Sequence, residues 1–228
     1  MSNPTSAFGW QMPTATDLVT DLPADFEVFG QAVDTSLADL KGGTTGQLLA
    51  KATNTDMDFT WTNPVSSGFS VVKSETSFSA VTEIIADSVF SSTYTDYLLQ
   101  MYWTSSSTSL LIMNLRAGGT NTTTNYNDQV TEALGTSIGT STVTTPYVAH
   151  AINGSFYGSM RLNLFSPNVA AVTNFQSDSV VPSGSYSSPK ITQMYGFQTD
   201  STQFTGIRLY VGNGAITGRY TIYGKAKS

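Results

Sequence analysis

Short stretches in which apolar and polar residues alternate, separated by turns rich in glycine, serine and threonine, fill the chain after residue 68. In SMRLNLF (159–165), Met160, Leu162 and Leu164 alternate with polar residues, and GIRLYV (206–211) has the same period of two. This period is typical of a strand with one buried face. No amphipathic helix pattern lies between these stretches, which argues against βαβ units. The predicted fold is therefore mainly β, with an antiparallel, jelly-roll-like β-sandwich over residues 68–228.

The clearest strand patterns are seven in number. They cover residues 69–73, 96–103, 109–116, 157–165, 191–197, 205–211 and 218–224. Two of them, 96–103 and 109–116, are apolar on both faces, which fits central strands or strands covered by a neighbouring subunit. The segments 116–125, 135–142 and 179–189 are predicted to be turns because glycine, serine, threonine and asparagine dominate them.

The first 41 residues have a different character, with an extended peptide followed by one helix. Phe8, Trp10 and Met12 place three large apolar side chains in a segment too short to build its own core. These side chains need a partner surface, on another chain or on the rest of the protein. The helix is predicted over 22–41, with Asp21 as N-cap and two glycines directly after its end.

The predicted helix carries an apolar stripe with roughly the spacing of a coiled coil. Its members are Phe26, Phe29, Val33, Leu37 and Leu40. Two interpretations stay open: the stripe packs on the chain's own domain, or it packs against copies of itself around a trimer axis. Residues 42–67 follow as a joint, in which Leu48 with Leu49, and Met57, Phe59 and Trp61 at period two, predict a small hairpin.

Charge is distributed unevenly along the chain. Residues 1–60 hold eight acidic and two basic residues, a net charge of −6, whereas residues 61–228 hold eight of each and sum to zero. Nucleic-acid binding needs a basic surface, which this pattern excludes. No apolar run is long enough to predict insertion into a membrane.

Residues for catalysis or metal binding are sparse. The chain has no cysteine and a single histidine, His150, which is too few soft ligands for a transition metal. GTSIG (135–139) matches the G-x-S-x-G nucleophile motif, but the strand–turn–helix context is missing and no acidic residue lies between Ser137 and His150. Asp56 and Asp58 lack the spacing of a calcium loop. We therefore predict a protein without enzymatic activity, cofactor or metal.

Recognition by surface groups is the function that remains. Neutral loops with amides, hydroxyls and single rings suit sugars, whose hydroxyls bond to amides and whose apolar face stacks on a ring. The candidate rings are Trp103, Tyr126, Tyr147, Phe156, Tyr157 and Tyr186. The alternative for each of them is a place in the core or in a subunit interface.

Three segments resemble proteins of tailed bacteriophages. FGWQMPTATDLVTDLPADFEVFGQAVDTSL (8–37) resembles the amino-terminal segment of tail-fibre and minor tail proteins, and GGTTGQLLAKATNTDMDFTWTN (42–63) is similar to a short unit that follows it there. FTGIRLYVGNGAITGRYTIYGKAKS (204–228) is similar to the last strands of a phage jelly-roll domain. The chain has no collagen-like repeat, long coiled coil or β-helix array, which argues against a long fibre with depolymerase activity.

The resemblance implies a homotrimeric virion protein, made in the host cytoplasm and docked on the particle by its amino terminus. The leading expectation is a short tail fibre or spike in which Phe8, Trp10 and Met12 contact other virion proteins. Its β-domain would then attach to a bacterial surface glycan or protein. Two alternatives stay open: a capsid or neck decoration without a receptor, and a glycan-degrading enzyme on the same scaffold.

Overall fold

The computed structural model describes residues 4–64, 68–151, 153–182 and 189–226, excluding the side chains of 154–156. The chain divides into two units, Met1–Val65 and Ser66–Ser228, here called the N-terminal unit and the β-domain. No helix in the described part of the chain has the length and apolar character needed to cross a membrane.

The helix of the N-terminal unit, α1, spans Leu22–Leu37 and continues into a 3-10 turn at Ala38–Leu40. A proline occupies its first turn, where the missing N–H costs no hydrogen bond. Asp21 is the N-cap residue as predicted, but its side chain makes no capping bond. Gly42 and Gly43 follow with φ of 95° and 81°, the left-handed conformation that ends helices.

The predicted hairpin is present and contacts the end of this helical segment. Its strands are β1, Leu48–Lys51, and β2, Phe59–Thr62, which pair antiparallel. The Trp61 indole Nε1 donates to the Lys41 carbonyl oxygen over 3.1 Å. A side chain on Gly43 would lie 2.6 Å from the Trp61 ring, so only glycine fits beneath the indole. Residues 42–62 therefore fold back as a cover over the helix end.

Thirteen strands make up the β-domain in its described residues. They are β3 (Phe69–Val81), β4 (Glu83–Ala86), β5 (Tyr94–Ser105), β6 (Ser109–Ala117), β7 (Thr120–Asn121), β8 (Tyr126–Leu134), β9 (Ser137–Val143), β10 (Tyr147–Ala151), β11 (Gly154–Phe165), β12 (Thr173–Val181), β13 (Lys190–Gln198), β14 (Gly206–Val211) and β15 (Ile216–Ala226). The large sheet has the order β3-β15-β5-β11-β12-β13-β8-β9, and the small sheet has the order β10-β6-β14-β4 with β7 beside β6. Neighbouring strands in both sheets are antiparallel.

One hydrophobic core lies between the two sheets. In the large sheet, strand pairing places buried residues opposite one another in rows that cross the strands. One such row consists of Ile222, Leu99, Leu162, Ser177, Met194 and Val130. The small sheet contributes buried residues from β6 and β14, such as Met113 and Leu209. Each such aliphatic side chain contributes about 1.5–3 kcal/mol when fully buried.

The predicted fold class, mainly β with an antiparallel sandwich, is confirmed. All seven predicted strands are present, and the two that are apolar on both faces, now β5 and β6, are internal to their sheets. The predicted turns 116–125, 135–142 and 179–189 are partly wrong, because they contain β7, nearly all of β9 and the end of β12. GTSIG is a two-residue hairpin connection followed by strand β9, with Leu134 opposite Ser137.

Candidate functional site

The large sheet has one surface that faces away from the core; we call it the outer face. Residues alternate along a strand between the core and this face, so the outer residues also form rows across the strands. Exposed rings are frequent here, and Tyr102, Tyr195, Phe165 and Phe197 are each between 40% and 48% exposed. Contiguous exposed apolar groups mark candidate binding surfaces.

Two neighbouring rows on the outer face enclose a groove of about 500 Å³, here called the neutral groove. One row contains Gln176, Tyr195, Gln129 and Thr142, and the other contains Phe165, Asn174, Phe197 and Asn127. These side chains are three aromatic rings, one of them a tyrosine, four amides and one threonine. The lining has no arginine, lysine or glutamate, and its only acidic residue, Asp128, is buried.

Gly196 forms the floor of the neutral groove, between the two rows. Its register partners, Phe175 and Asp128, are both 2% exposed and direct their side chains into the sandwich. A side chain on Gly196 would meet both of them, at 2.7 Å from the Phe175 ring and even closer to the Asp128 carboxylate. Because Gly196 has no side chain, Phe175 and Asp128 keep their room inside the sandwich, directly beneath the groove.

A second groove on the outer face, of about 470 Å³, differs in chemistry. One row of its lining contains Tyr102, Ser159, Val180 and Ile191, and the neighbouring row contains Arg161, Asp178 and Gln193. The Asp178 carboxylate accepts a hydrogen bond from the Gln193 amide over 3.1 Å. This charged groove is therefore distinct from the neutral groove although both lie on one sheet.

The single histidine belongs to a cluster at the rim of the sandwich. The carboxylate of Glu132 on β8 contacts His150 Nε2 and the Tyr147 hydroxyl of β10, and its other oxygen lies 3.0 Å from the Lys190 ammonium of β13. Burial raises the pKa of Glu132, but hydrogen bonds from His150 and Lys190 outweigh it and hold that pKa below its ordinary value. Burial lowers the pKa of His150, and the bond to Glu132 offsets only part of this.

This cluster ties the two sheets together. In the described residues no serine hydroxyl hydrogen-bonds to His150, so the geometry is that of a hydrogen-bonded structural cluster and not of an activated nucleophile. No group of three or more acidic or histidine side chains in the described part of the chain could hold a metal ion. Of the two aspartates compared with a calcium loop above, Asp58 accepts a hydrogen bond from the Thr53 hydroxyl, within the connection between the two hairpin strands.

The sugar-contact prediction was wrong for three of its rings. Trp103, Tyr126 and Tyr147 are 1%, 1% and 8% exposed, because each lies on the core side of its strand. The Tyr126 hydroxyl accepts a hydrogen bond from the Leu115 amide over 2.8 Å and so connects the two sheets. Tyr157 is 61% exposed and keeps its candidate role. The side chain of Phe156, and Tyr186 as a whole, lie outside the described residues.

The exposed rings can be identified from the sequence, because inward and outward residues alternate along each strand. In ITQMYGF the core residue Met194 directly precedes Tyr195, and in SMRLNLF the core residue Leu164 directly precedes Phe165. Rings next to core positions point outward. Tyr102 follows from the same rule, because it stands between Met101 and Trp103.

In the N-terminal unit, the aromatic peptide packs on α1. The Trp10 ring stacks on Phe8 at 4.8 Å and meets the edge of Phe29 at 6.0 Å. Its indole nitrogen donates to the Ser36 hydroxyl over 3.1 Å. Phe8 and Met12 remain 48% and 40% exposed. The helix of the same chain therefore covers Trp10, while the other two predicted anchoring residues retain exposed surface.

Along the apolar stripe, the covered and open flanks of α1 differ. Phe29 and Val33 are half-buried, whereas Phe26, Leu37 and Leu40 are 58%, 38% and 42% exposed. At 100° per residue, Phe26 and Leu37 lie about 20° apart and about 60–80° from Phe29, so they form the edge of the stripe farther from Trp10. The peptide around Trp10 thus covers only one side of the stripe.

Comparison with models of known protein families gives no match, and comparisons with curated proteins and with solved structures give none either.

Proposed function

We propose that this chain is a structural protein of a tailed-bacteriophage particle, a short trimeric fibre or spike whose β-domain attaches to a glycan on the bacterial surface. One observation carries the attachment: the outer face combines exposed rings with amide side chains. A sugar presents an apolar ring face together with hydroxyl groups, and rings and amides recognise these two features. In this proposal the chain acts by binding, not by catalysis, and needs no cofactor.

The N-terminal unit supports the mounting part of the proposal. Phe8 and Met12 keep exposed apolar surface that suits contact with another virion protein. The open flank of the stripe, with Phe26 and Leu37, suits packing against copies of α1. A trimer would present three β-domains together, so that weak single-site binding adds up to stable attachment.

We expect purified protein to slow the adsorption of the phage that carries it, because free β-domains occupy the same surface glycan. The measurement is the rate at which particles disappear from the supernatant of host cells, with heat-unfolded protein as the control. If adsorption is unchanged at saturating protein while antibodies label the protein on intact particles, the chain is a decoration without a receptor.

The stripe gives a prediction about oligomeric state. Phe26→Asp is expected to reduce the molecular mass in solution from trimer towards monomer, because burial of a phenylalanine contributes about 1.5–3 kcal/mol per chain and a charge at that position opposes it. The measurement is light scattering over a dilution series.

Val28→Asp is the matched control for this experiment. Val28 is 57% exposed on the same helix, and two residues along the helix place it about 200° away from Phe26. It should leave the mass unchanged. Equal masses for wild type and Phe26→Asp would contradict an axial role for α1.

A further inference from the structure

The neutral groove has the chemistry of a site for one class of glycan. We propose that it binds a short uncharged oligosaccharide, an inference that rests on the proposed function and assigns it to particular residues. The ligand is neutral because no arginine or lysine lines the groove to pair with a carboxylate, sulfate or phosphate group. The lining of the groove likewise offers no exposed carboxylate that could pair with a cationic ligand.

Three rings surround the floor of the groove. Phe165 on β11 and Phe197 on β13 flank Asn174 on β12 in direct register, so two strand spacings of about 4.8 Å separate their strands. Tyr195 lies two residues before Phe197 on the same face, about 7 Å along the strand. This spacing provides ring surface to more than one sugar unit, and each stacked unit covers apolar surface that is otherwise exposed.

Amide groups fill the spaces between these rings. Asn127, Gln129, Asn174 and Gln176 each offer a carbonyl acceptor and an NH₂ donor, which match hydroxyl groups that also donate and accept. Two of these amides are already oriented. The Gln129 amide donates to the Ser141 carbonyl oxygen over 3.3 Å, and the Gln176 amide donates to the Asp178 carboxylate over 3.4 Å.

The size of the groove also favours a short oligosaccharide segment. Its volume of about 500 Å³ lies within the range of about 300–1,000 Å³ typical of ligand sites. It is open along the sheet, so a longer surface polysaccharide can enter by an internal segment. The charged groove lacks this ring-and-amide lining and contains Arg161 and Asp178.

Binding to immobilised oligosaccharides tests the inference. The probes are neutral oligosaccharides built from hexose and N-acetylhexosamine, compared with sialylated and uronic-acid oligosaccharides. The full-length protein is expected to bind members of the neutral set only. Tyr195→Ala should weaken that binding about tenfold, equivalent to about 1.4 kcal/mol, whereas Tyr195→Phe keeps the stacking ring and should stay within about threefold of wild type.

Tyr102→Ala is the matched control, because Tyr102 is 46% exposed on the same face and Tyr195 is 48% exposed. This variant should bind neutral oligosaccharides like wild type. Weaker binding in Tyr102→Ala with normal binding in Tyr195→Ala would overturn the inference and leave the proposed function standing. Selective binding of the charged set would do the same.

Two further outcomes separate the inference from the proposed function. If the protein blocks adsorption but binds none of the neutral probes, attachment stands and the neutral-glycan assignment is overturned. If Tyr195→Ala lowers the molecular mass in light scattering, the groove is an interface between copies and the inference is overturned. Thermal unfolding of each variant shows whether lost binding reflects lost folding, and Tyr195→Phe then provides the decisive comparison.

Discussion

Replacing Gly218 with alanine is expected to destabilise the β-domain by about 3 kcal/mol, because the new methyl group would collide with backbone and not with a movable side chain. An added side-chain atom at Gly218 would lie 2.0 Å from the Tyr102 carbonyl oxygen and 2.8 Å from the Trp103 Cα atom. Both atoms belong to β5, which pairs with β15 at this position. Relief would require separating these two strands, both of which are internal to the large sheet.

Urea denaturation, followed by tryptophan fluorescence and by far-UV circular dichroism, measures this effect as a lower midpoint. Gly139→Ala is the matched control, because Gly139 also lies in a strand and an added side-chain atom there would meet nothing within 4 Å. It should change stability by less than about 1 kcal/mol, in the stabilising direction, since glycine weakens strands. A loss for Gly218→Ala as small as the change at Gly139 would show that the sheet adapts at this position.

Most of the strands predicted from sequence have a regular apolar face, whereas the missed strand β12 has a partly polar inner face. In β12 the core side contains Thr173, Ser177 and Ser179, so the alternation of apolar and polar residues is lost. The Ser177 hydroxyl is satisfied inside the sandwich by the Val148 carbonyl oxygen at 2.6 Å. Such a partner comes from the other sheet, and no local pattern reveals it.

Edge position and buried charge account for two other missed strands. β9 is the edge of the large sheet and is exposed along most of its length, so its sequence looks like a loop. β8 places Asp128 towards the core, which breaks the apolar pattern between Tyr126 and Val130. These strands are defined by their neighbours more than by their own residues.

The chemistry of the candidate site was predictable from the sequence, but the positions of its residues were not. Neutral rings and amides were expected to form it, and the outer face contains both. The prediction placed Trp103 on the wrong face of its strand. Leu99, Met101 and Trp103 are each two residues apart, so their side chains all point into the core. The groove itself depends on pairing across β11, β12 and β13, which brings together residues more than 30 positions apart, such as Phe165 and Phe197.

The buried carboxyl of Asp128 provides the second large prediction, a pH-dependent gain of stability in Asp128→Asn. Asp128 is 2% exposed, and neither carboxylate oxygen has a hydrogen-bond partner among the described residues. Burial raises the pKa of Asp128 from 3.8 to about 7. The folded state therefore holds this proton more tightly than the unfolded state does.

The sign of the pH dependence follows from that difference. Between about pH 4 and about pH 7 the folded protein binds the proton and the unfolded chain has released it, so stability falls as pH rises. Asparagine does not ionise and escapes this loss. Because one pKa unit corresponds to about 1.4 kcal/mol, the stability of Asp128→Asn relative to wild type should rise by about 3–4 kcal/mol across this range.

Urea denaturation of both proteins at about pH 4 and about pH 8 measures the change. The amide adds an NH₂ group that needs its own partner, but this cost is the same at both pH values and cancels in the comparison. The acid-sensitive pair of Glu132 and His150 is present in both proteins and cancels as well. Glu75→Gln, which removes an exposed carboxylate that lies 3.4 Å from Arg219, is the control for the loss of a carboxylate at the surface. A free-energy difference between wild type and Asp128→Asn that stays constant with pH would mean that water or a hydrogen bond reaches this carboxyl beneath Gly196.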